Sequence, residues 1–324
     1  ELCPNCFSEY SNPLDRRFDA QPNACPTCGP SLQFMLANGE ISSEDPLPCA
    51  IKQLKDGNIL AVKGIGGYHL CCDASNDRAV SLLRSKKMRP TKALAVMFAS
   101  LSELESHCQV SSREQRELSG CVAPIVILRR KATSSLSLLL APDTDDLGAF
   151  LPYSPLHHLL LSHISPLVMT SGNLAEEPIA KDEQELTNNL GTIANSALIH
   201  NRPIVRRCDD SVMKFVSEKP LWLRRSRGVV PDHIVLPVNG ASVLACGGDL
   251  KNTFCVTRED KAFLSPHIGD LEYFKAYQFY RESIDDFSRL LQVQPRCIAH
   301  DLNPDFLSTR FAIEQGIPLV PVQH

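Results

Sequence analysis

Four cysteines near the start of the chain have the spacing of metal ligands. They form two Cys-X-X-Cys pairs, Cys3 with Cys6 and Cys25 with Cys28, separated by 18 residues. Each pair can direct two thiolates from one turn, and two such turns complete a tetrahedral zinc site. Because four thiolates leave no open position for water, the spacing predicts a structural zinc. A redox-active pair is the alternative, disfavoured because proline follows the first cysteine of both pairs.

A run of basic residues is the second candidate. Four cations fall within seven residues, at Lys86, Lys87, Arg89 and Lys92, here called the basic loop (residues 86–92). Such a run is often a solvated face or the end of a helix. Because Pro90 stiffens the chain before an apolar strand, a phosphate clamp is the competing interpretation.

A glycine-rich segment is the third candidate. Lys63 ends a strand-like run and is followed by Gly64-Ile-Gly-Gly67 and Tyr68. Glycines let backbone amides approach an anion closely, and the lysine adds a point charge. A tight turn explains the same residues, so the pattern alone does not decide between the two.

Small polar side chains follow a predicted strand at residues 166–170. Thr170, Ser171 and Asn173 could hydrogen-bond a nucleotide or an acyl group from the C-terminal end of that strand. A capped turn is the alternative, and the spacing does not separate them.

Two charged segments come later. Asp209, Asp210 and Ser211 follow Arg206-Arg207, and Arg224-Arg225 lies downstream. Adjacent carboxylates could hold Mg²⁺, and arginines could bind phosphates. Surface ion pairs would explain both segments equally well.

Composition limits the class of protein. The chain has 324 residues, 43% of them hydrophobic, and a net charge of −4, which argues against a protein built to coat nucleic acid. The sequence contains no run of about 18 apolar residues, so no membrane span is predicted. Nine cysteines remain outside the proposed zinc set, mostly in apolar runs, so reduced thiols in a cytoplasmic protein are expected.

The pattern of elements predicts an α/β protein, because helices and strands alternate. Residues 1–30 form the cysteine module, and linkers are expected at 31–45 and about 230–241. In the first α/β domain, 46–230, helices are predicted at 47–56, 76–87, 101–119, 155–164 and 183–190, with strands at 58–63, 93–98, 124–128, 166–170 and 196–200. In the second, 241–324, strands are predicted at 242–246, 252–257, 262–265, 296–300 and 318–322, with helices at 270–292 and 305–315.

Residues 46–230 resemble the YrdC-type domain, which makes acyl-adenylates from ATP. The segment from Tyr68 to Ala74 is similar to the motif YGLGCDA of that family, and Lys87-Met-Arg89 is similar to its KxR loop. Thr170-Ser-Gly-Asn-Leu174 is similar to TSANL. The closing STV and RxG elements resemble Asp210-Ser-Val212 and Arg225-Ser-Arg-Gly228.

The flanking segments narrow the resemblance to the HypF family of [NiFe]-hydrogenase maturation carbamoyltransferases. The cysteine module resembles the second zinc finger of that family, and Gly247–Thr253, Ser265–Leu271 and Val320–His324 resemble segments of its Kae-like domain. Three residues depart from the family pattern: Asp19, Ala93 and Pro266. None of the three removes a charged group from the proposed site.

The resemblance implies a fold, an activity and partners. The fold would be a four-cysteine zinc module, a YrdC-like α/β domain with a twisted mixed sheet, and the N-terminal part of an ASKA/Kae-like α/β domain. The activity would be formation of carbamoyl-adenylate from ATP, with Mg²⁺, and carbamate derived from carbamoyl phosphate. Transfer of the carbamoyl group to the C-terminal cysteine of HypE would follow.

The resemblance also implies residue roles. Lys63, Lys87, Arg89 and Lys92 would be catalytic cations that neutralise carbamate and the α-phosphate. The expected ATP-binding or carbamoyl-binding residues are Tyr68, Thr170, Ser171, Asn173, Asp210, Ser211 and Arg225. His324 would be the first of two metal-binding histidines of the second domain. Because the chain stops there, we expect it not to complete carbamoyl transfer alone.

Two other classes of function remain open. A double-stranded-RNA-binding module is one, which the acidic net charge disfavours. The other is a scaffold that docks HypE without adenylation, which pyrophosphate exchange would distinguish.

Overall fold

The computed structural model describes residues 1–174 and 177–323, which form two sheets with helices packed on them. The helices are α1 (Pro4–Ser11), α2 (Pro46–Lys55), α3 (Asp77–Lys86), α4 (Leu101–His107), α5 (Ser112–Leu118), α6 (Pro155–Leu161), α7 (Glu183–Leu190), α8 (Phe274–Leu291) and α9 (Leu307–Glu314). The strands are β1 (Leu32–Leu36), β2 (Leu60–Lys63), β3 (Tyr68–Asp73), β4 (Val96–Met97), β5 (Ile125–Arg129), β6 (Asp146–Phe150), β7 (Leu167–Ser171), β8 (Ser196–His200), β9 (Val212–Val216), β10 (Lys219–Arg224), β11 (His233–Gly240), β12 (Val243–Ala245), β13 (Cys255–Leu264), β14 (Cys297–Asp301) and β15 (Leu319–Val322).

The larger sheet has ten strands in the order β1-β8-β2-β3-β7-β4-β6-β5-β9-β10. It is mixed, because β2 with β8, β4 with β6 and β5 with β9 pair in parallel whereas the other neighbours pair antiparallel. The predicted α/β class with a mixed sheet is therefore confirmed.

Alternation along the strands gives this sheet two buried faces. In β2, Leu60 and Val62 pack in one core cluster with α2 and α6, whereas Ala61 packs in the other with α3 and α4. Since both faces are covered, the central strands are apolar on both sides. These strands therefore carry their polar residues at their ends, where a site can form.

Helix α3 positions the basic loop. The side chain of Asn76 caps the helix by accepting a hydrogen bond from the backbone N–H of Ala79, at 3.1 Å. Arg84, only 7% exposed, donates to the main-chain carbonyls of Arg89 and Pro90, at 2.8 and 3.1 Å. The guanidinium thus supplies donors to a loop that lacks sheet partners, and it holds the loop in one conformation.

The second sheet has the order β11-β13-β12-β14-β15, with β12, β14 and β15 parallel. Its core cluster includes Phe254, Tyr280, Phe287 and Phe311. Tyr280 and Phe287 lie on the face of α8 that its 4-3-4 spacing of apolar residues predicts.

The structure differs from the sequence expectations in several segments. The stretch 31–45, expected to be a linker, contains β1, which pairs with β8, and the stretch 230–241 contains β11, which pairs with β13. Nearly every residue of β11 is exposed, so it lacks the apolar alternation that reveals a strand. The two strands predicted at 252–257 and 262–265 are one strand, β13.

Two further observations bear on the class of protein. All thirteen cysteines are free thiols in the structure, which agrees with the expectation that they form no disulfide framework. Within residues 1–174 and 177–323, no helix is both long enough and apolar enough to cross a membrane.

Candidate functional site

A cavity of about 770 Å³ lies over the polar ends of the central strands. The basic loop, the end of β7 and the segment 207–212 form much of its wall, and residues 267–269 with Phe279 add a wall from the second sheet region. Seven of the residues predicted from sequence line this cavity: Lys87, Arg89, Lys92, Thr170, Ser171, Asn173 and Asp210.

Lys87 is the most deeply buried cation of the cavity, with 3% exposure. Its ammonium donates to the carbonyl oxygen of Ser171 at 2.6 Å and to Oδ1 of Asn173 at 3.1 Å. Burial, reinforced by the positive charge of Arg89, lowers the pKa of Lys87 to about 7. Because both protein partners are neutral, an anion in the cavity would be the natural counter-charge.

The polar end of β7 is ordered by its own hydrogen bonds. Ser171 Oγ donates to Asn173 Oδ1 at 2.8 Å, and Asn173 Nδ2 donates to the carbonyl of Glu177 at 2.6 Å. Arg89 donates to Thr170 Oγ1 at 3.3 Å and so joins the basic loop to the same strand end. Cations and small polar groups therefore share one wall.

Further charged residues, which the sequence prediction did not include in the site, also line the cavity and form ion pairs. Arg207 pairs with Glu185 at 2.6 Å, Arg224 with Asp209 at 2.9 Å, and Lys214 with Asp146 at 2.6 Å. Arg207, Asp209 and Arg224 belong to the charged segments noted in the sequence. By contrast, Lys214 and Asp146 lie in strands β9 and β6, which were not predicted.

Asp210 lies in the cavity wall but is 6% exposed. Its Oδ2 lies 3.1 Å from His69 Nε2, and its Oδ1 accepts a hydrogen bond from Arg227 Nε at 2.8 Å. Burial opposes ionisation, but the hydrogen bond from His69 and the charge of Arg227 outweigh it, so the pKa of Asp210 lies well below its usual range. Both carboxylate oxygens are engaged by protein groups.

Four predicted site residues are not among the described residues that line the cavity: Lys63, Tyr68, Ser211 and Arg225. Lys63 donates to Glu183 Oε1 at 2.6 Å, and Tyr68 Oη donates to the same oxygen at 3.1 Å. Ser211 Oγ donates to the carbonyl of Arg227 at 2.9 Å and accepts from the N–H of Ser226 at 2.8 Å. Lys63, Tyr68 and Ser211 thus bond to other protein groups and do not line the cavity.

The glycines after Lys63 serve close packing. A Cβ on Gly66 would lie 2.2 Å from the carbonyl oxygen of Cys208, and one on Gly67 would lie 2.5 Å from Ile179. Such contacts leave no room for a side chain. The tight-turn interpretation of this segment is therefore the better supported one.

The second sheet region supplies part of the site that sequence reasoning missed. His267 lines the cavity, and burial together with the nearby charge of Arg224 lowers its pKa to about 4, so the imidazole is neutral at neutral pH. Phe279 packs under Arg207, whose guanidinium carbon lies 5.9 Å from the ring centroid. The family-like segment around His267 was the available sequence signal.

The four cysteines of the N-terminal module converge as predicted. The Sγ atoms of Cys3, Cys6, Cys25 and Cys28 all lie within 4.8 Å of one another. Hydrogen bonds from the backbone N–H groups of residues 28 and 27 lower the pKa of Cys25 to about 6, which favours the thiolate that zinc requires. The donor set therefore fits a closed structural zinc site. His324, the other predicted metal ligand, lies outside the described residues.

The module is fastened to the larger sheet. Arg202 donates to the carbonyl of Cys28 at 3.0 Å, and Asn201 accepts from the N–H of Ser31 at 3.1 Å. Both residues follow β8, the neighbour of β1. The zinc module therefore has a defined attachment close to the sheet edge.

Three family models match consecutive parts of the chain. The HypF finger matches residues 2–35, the Telomere recombination family (Sua5, YciO and YrdC) matches residues 52–226, and the HypF Kae1-like domain matches residues 239–324. Their order is that of the cysteine module, the ten-stranded sheet and the second sheet.

Curated relatives and a solved structure agree with these matches. Carbamoyltransferase HypF of Rhodobacter capsulatus is 41% identical over 331 residues, which cover 100% of this chain and 44% of that protein. The HypF of Synechocystis sp. is 45% identical over 297 residues, covering 90% and 39%. Full-length HypF crystallised in a phosphate- and nucleotide-bound form has a TM-score of 0.93 and 45% identity, covering 100% of this chain and 43% of that chain.

The chain spans less than half the length of these curated relatives. The identity nevertheless extends through the cysteine module, the cavity and the second sheet, and the fold superposes along the whole chain. The chain therefore belongs to the HypF family of carbamoyltransferases.

Proposed function

We propose that the cavity binds ATP with Mg²⁺ and forms carbamoyl-adenylate from carbamate. A carbamate oxygen attacks the α-phosphorus of ATP, the bond from that phosphorus to the bridging oxygen breaks, and pyrophosphate leaves. In the complete protein, carbamoyl phosphate would supply the carbamate, and the C-terminal cysteine of HypE would accept the carbamoyl group.

One observation carries the proposal: Lys87 and Arg89 are held by β7 and face one cavity with Lys92. A buried cation whose pKa is lowered is costly unless an anion occupies the site. Strong perturbation by burial in a cleft is characteristic of functional residues.

The arrangement suits this reaction because both reactants are anions. Carbamate and the α-phosphate repel each other, and fixed cations reduce that repulsion without reorganising as charge moves in the transition state. Ser171 and Asn173 are ordered donors and acceptors at the same wall, so they would orient the acyl group. Asp209 is already paired with Arg224. We therefore propose that Mg²⁺ is held mainly by the phosphates of ATP.

The predicted residues that do not line the cavity would support those that do. Lys63 and Tyr68 share Glu183, and the carbonyl of Tyr68 accepts the N–H of Gly172 at 2.6 Å, next to Ser171. We propose that Lys63 and Tyr68 hold the end of β7, and that Ser211, through its bonds to Arg227 and Ser226, holds the segment that enters β9. Zinc would keep the N-terminal module folded.

The test is carbamate-dependent exchange of labelled pyrophosphate into ATP. We expect exchange with the wild-type chain, and a loss of about 10² in Arg89→Ala if that cation stabilises the transition state by about 3 kcal/mol. Lys52→Ala is the matched control, because Lys52 is an exposed lysine of α2 outside the cavity lining. Folded wild-type protein that shows no exchange with carbamate present would exclude the adenylation step.

A further inference from the structure

The carboxylate of Asp210 joins three segments at one buried point. His69 lies in β3, Asp210 lies two residues before the start of β9, and Arg227 follows β10. We call Asp210, His69 and Arg227 the Asp210 cluster. Its distances, 3.1 Å from His69 Nε2 and 2.8 Å from Arg227 Nε, leave each carboxylate oxygen with a protein partner.

The guanidinium of Arg227 makes several contacts within the protein besides its bond to Asp210. It donates to the carbonyls of Val122 and Ala123 at 2.9 and 2.8 Å, and its central carbon lies 3.5 Å from the ring centroid of Tyr153. These carbonyls precede β5, which pairs in parallel with β9 at Ile125 and Val212. Ile125 and Val212 both line the cavity, so Arg227 ties two of its walls together.

His69 connects the Asp210 cluster to the end of β7, where Lys87 is held. It is the register partner of Ser171 on β7, and the carbonyl of Ser171 accepts the ammonium of Lys87. Space around its ring is limited, because a Cβ on Gly64 would lie 3.0 Å from His69 Nδ1. The imidazole is therefore confined beside the strand end that orients Lys87.

We propose that Asp210 is a positioning residue of the adenylation site, acting through His69 and Arg227, and that it is not a ligand of Mg²⁺. This inference rests on the proposed adenylation. Mg²⁺ retains several waters when it binds a carboxylate, whereas Asp210 is 6% exposed and both of its oxygens already have a protein partner, His69 and Arg227. Release would leave Arg227 as an uncompensated buried cation.

The positioning role concerns the segment that follows Arg206. Asp210 anchors this segment from behind, while its neighbour Asp209 pairs with Arg224 in the cavity and Arg207 pairs with Glu185. If the anchor is weakened, these charged groups and the β9 wall lose their fixed placement relative to Lys87. Catalysis that relies on preorganised charges then slows although every group that touches substrate is present.

The test compares Asp210→Asn with the wild-type chain in pyrophosphate exchange at saturating ATP and carbamate, with Mg²⁺ titrated. We expect kcat to fall about 10-fold or more, with the Mg²⁺ concentration for half-maximal rate changed less than about 2-fold. If Asp210 were instead a ligand of Mg²⁺, its replacement would raise the Mg²⁺ concentration for half-maximal rate about 10-fold or more, and the rate would recover at high Mg²⁺.

A matched pair at the neighbouring position separates positioning from general instability. His69→Gln retains a side-chain donor for Asp210, whereas His69→Leu has none, so we expect exchange to fall at least 5-fold further in His69→Leu. Leu104→Ala, a cavity-forming change in α4 away from the site, is the control for lost stability and is measured well below the unfolding temperature of every variant.

The outcomes are distinct. A raised Mg²⁺ requirement in Asp210→Asn, or equal rates in His69→Gln and His69→Leu, would overturn the positioning role. A rate loss in Leu104→Ala as large as that in His69→Leu would also overturn it, since instability alone would then explain the effect. Absence of exchange in the wild-type chain would contradict the adenylation proposal itself.

Discussion

The ammonium of Lys87 lies 2.6 Å from the carbonyl oxygen of Ser171, although 84 positions separate them in the chain. This contact joins the start of the basic loop to the end of β7. It places a buried cation beside a row of hydroxyl and amide groups. Within the described residues, no carboxylate hydrogen-bonds to Lys87, so its charge is available to a bound anion.

Because burial lowers the pKa of Lys87, we expect the protein to take up a proton when ATP binds. Its pKa of about 7 in the free protein means that the amine is mostly neutral at pH 8. Phosphates beside it favour the charged form and raise that pKa, so binding at pH 8 should take up close to one proton per ATP. Calorimetry in buffers of different ionisation enthalpy measures this number.

Lys87→Met is the comparison for that measurement, since methionine fills similar space without an ionisable group. We expect uptake to disappear in Lys87→Met and to persist in Lys52→Met. Equal uptake by Lys87→Met and the wild-type chain would show that another group takes the proton.

The same pKa predicts how stability depends on pH. The unfolded chain, with a lysine pKa near the ordinary 10.5, binds more protons than the folded chain between pH 7 and 10.5. The contribution of Lys87 to the free energy of unfolding should therefore rise with pH across this window. Urea unfolding of wild-type and Lys87→Met chains at pH 7 and 9 isolates this contribution, and a difference that does not change with pH would contradict it.

A side chain at position 66 should be sterically unfavourable. In Gly66→Ala, the new Cβ would lie 2.2 Å from the carbonyl oxygen of Cys208, so the backbone must move and the hydrogen bond from Cys208 N to Gly66 O is disturbed. We expect a loss of about 2 kcal/mol or more in the free energy of unfolding, measured in urea. Gly240→Ala is the control, because a Cβ there meets nothing within 4 Å. Similar losses in both variants would show that packing at Gly66 is not the cause.

The ion pair between Lys63 and Glu183 should contribute to the free energy of unfolding, and this contribution should depend on pH. Burial raises the pKa of Glu183, but the hydrogen bond and charge of Lys63 prevail, so that pKa lies below its ordinary 4.5. A depressed carboxyl pKa stabilises the fold above pH 4.5, and this stabilisation is lost as pH falls through the folded-state pKa.

Lys63→Met should therefore cost about 1–2 kcal/mol at pH 7, less than a fully buried pair because the Glu183 side chain is 44% exposed. A double-mutant cycle with Glu183→Gln in urea measures the coupling at pH 7 and pH 4. Coupling that grows as pH falls would contradict this assignment.

The cysteine cluster predicts one bound zinc per chain. Cys25→Ser should remove it, because a hydroxyl replaces the thiolate that the backbone N–H groups stabilise. Metal analysis measures the stoichiometry, and hydrogen exchange should show loss of protection in α1 while the central strand β3 stays protected. Cys121→Ser, at an exposed cysteine outside the cluster, is the control. Full zinc retention by Cys25→Ser would rule out the four-thiolate site.

Much of this protein could be predicted locally. The cysteine spacing, the cap at Asn76 and the apolar spacing in α8 each depend on residues near one another in the chain, so the periodicity of a helix or turn reveals them. The exposed strand β11 and the β9–β10 hairpin were missed. Most residues of β10 and β11 are exposed, so neither strand shows the alternation of apolar and polar residues that reveals a half-buried strand.

The sequence by itself determined the family, the cysteines that form the cluster, the α/β class and seven of the residues that line the cavity. Only the tertiary structure decided which charges are exposed to a ligand and which are consumed by the protein. Lys63 and Lys87 each end a predicted element, a strand and a helix, and both were expected to be catalytic cations. In the structure Lys63 pairs with Glu183 and does not line the cavity, whereas Lys87 does. The reason is physical: a charge is neutralised by whichever group lies within a few ångströms, and long-range strand pairing decides that neighbour.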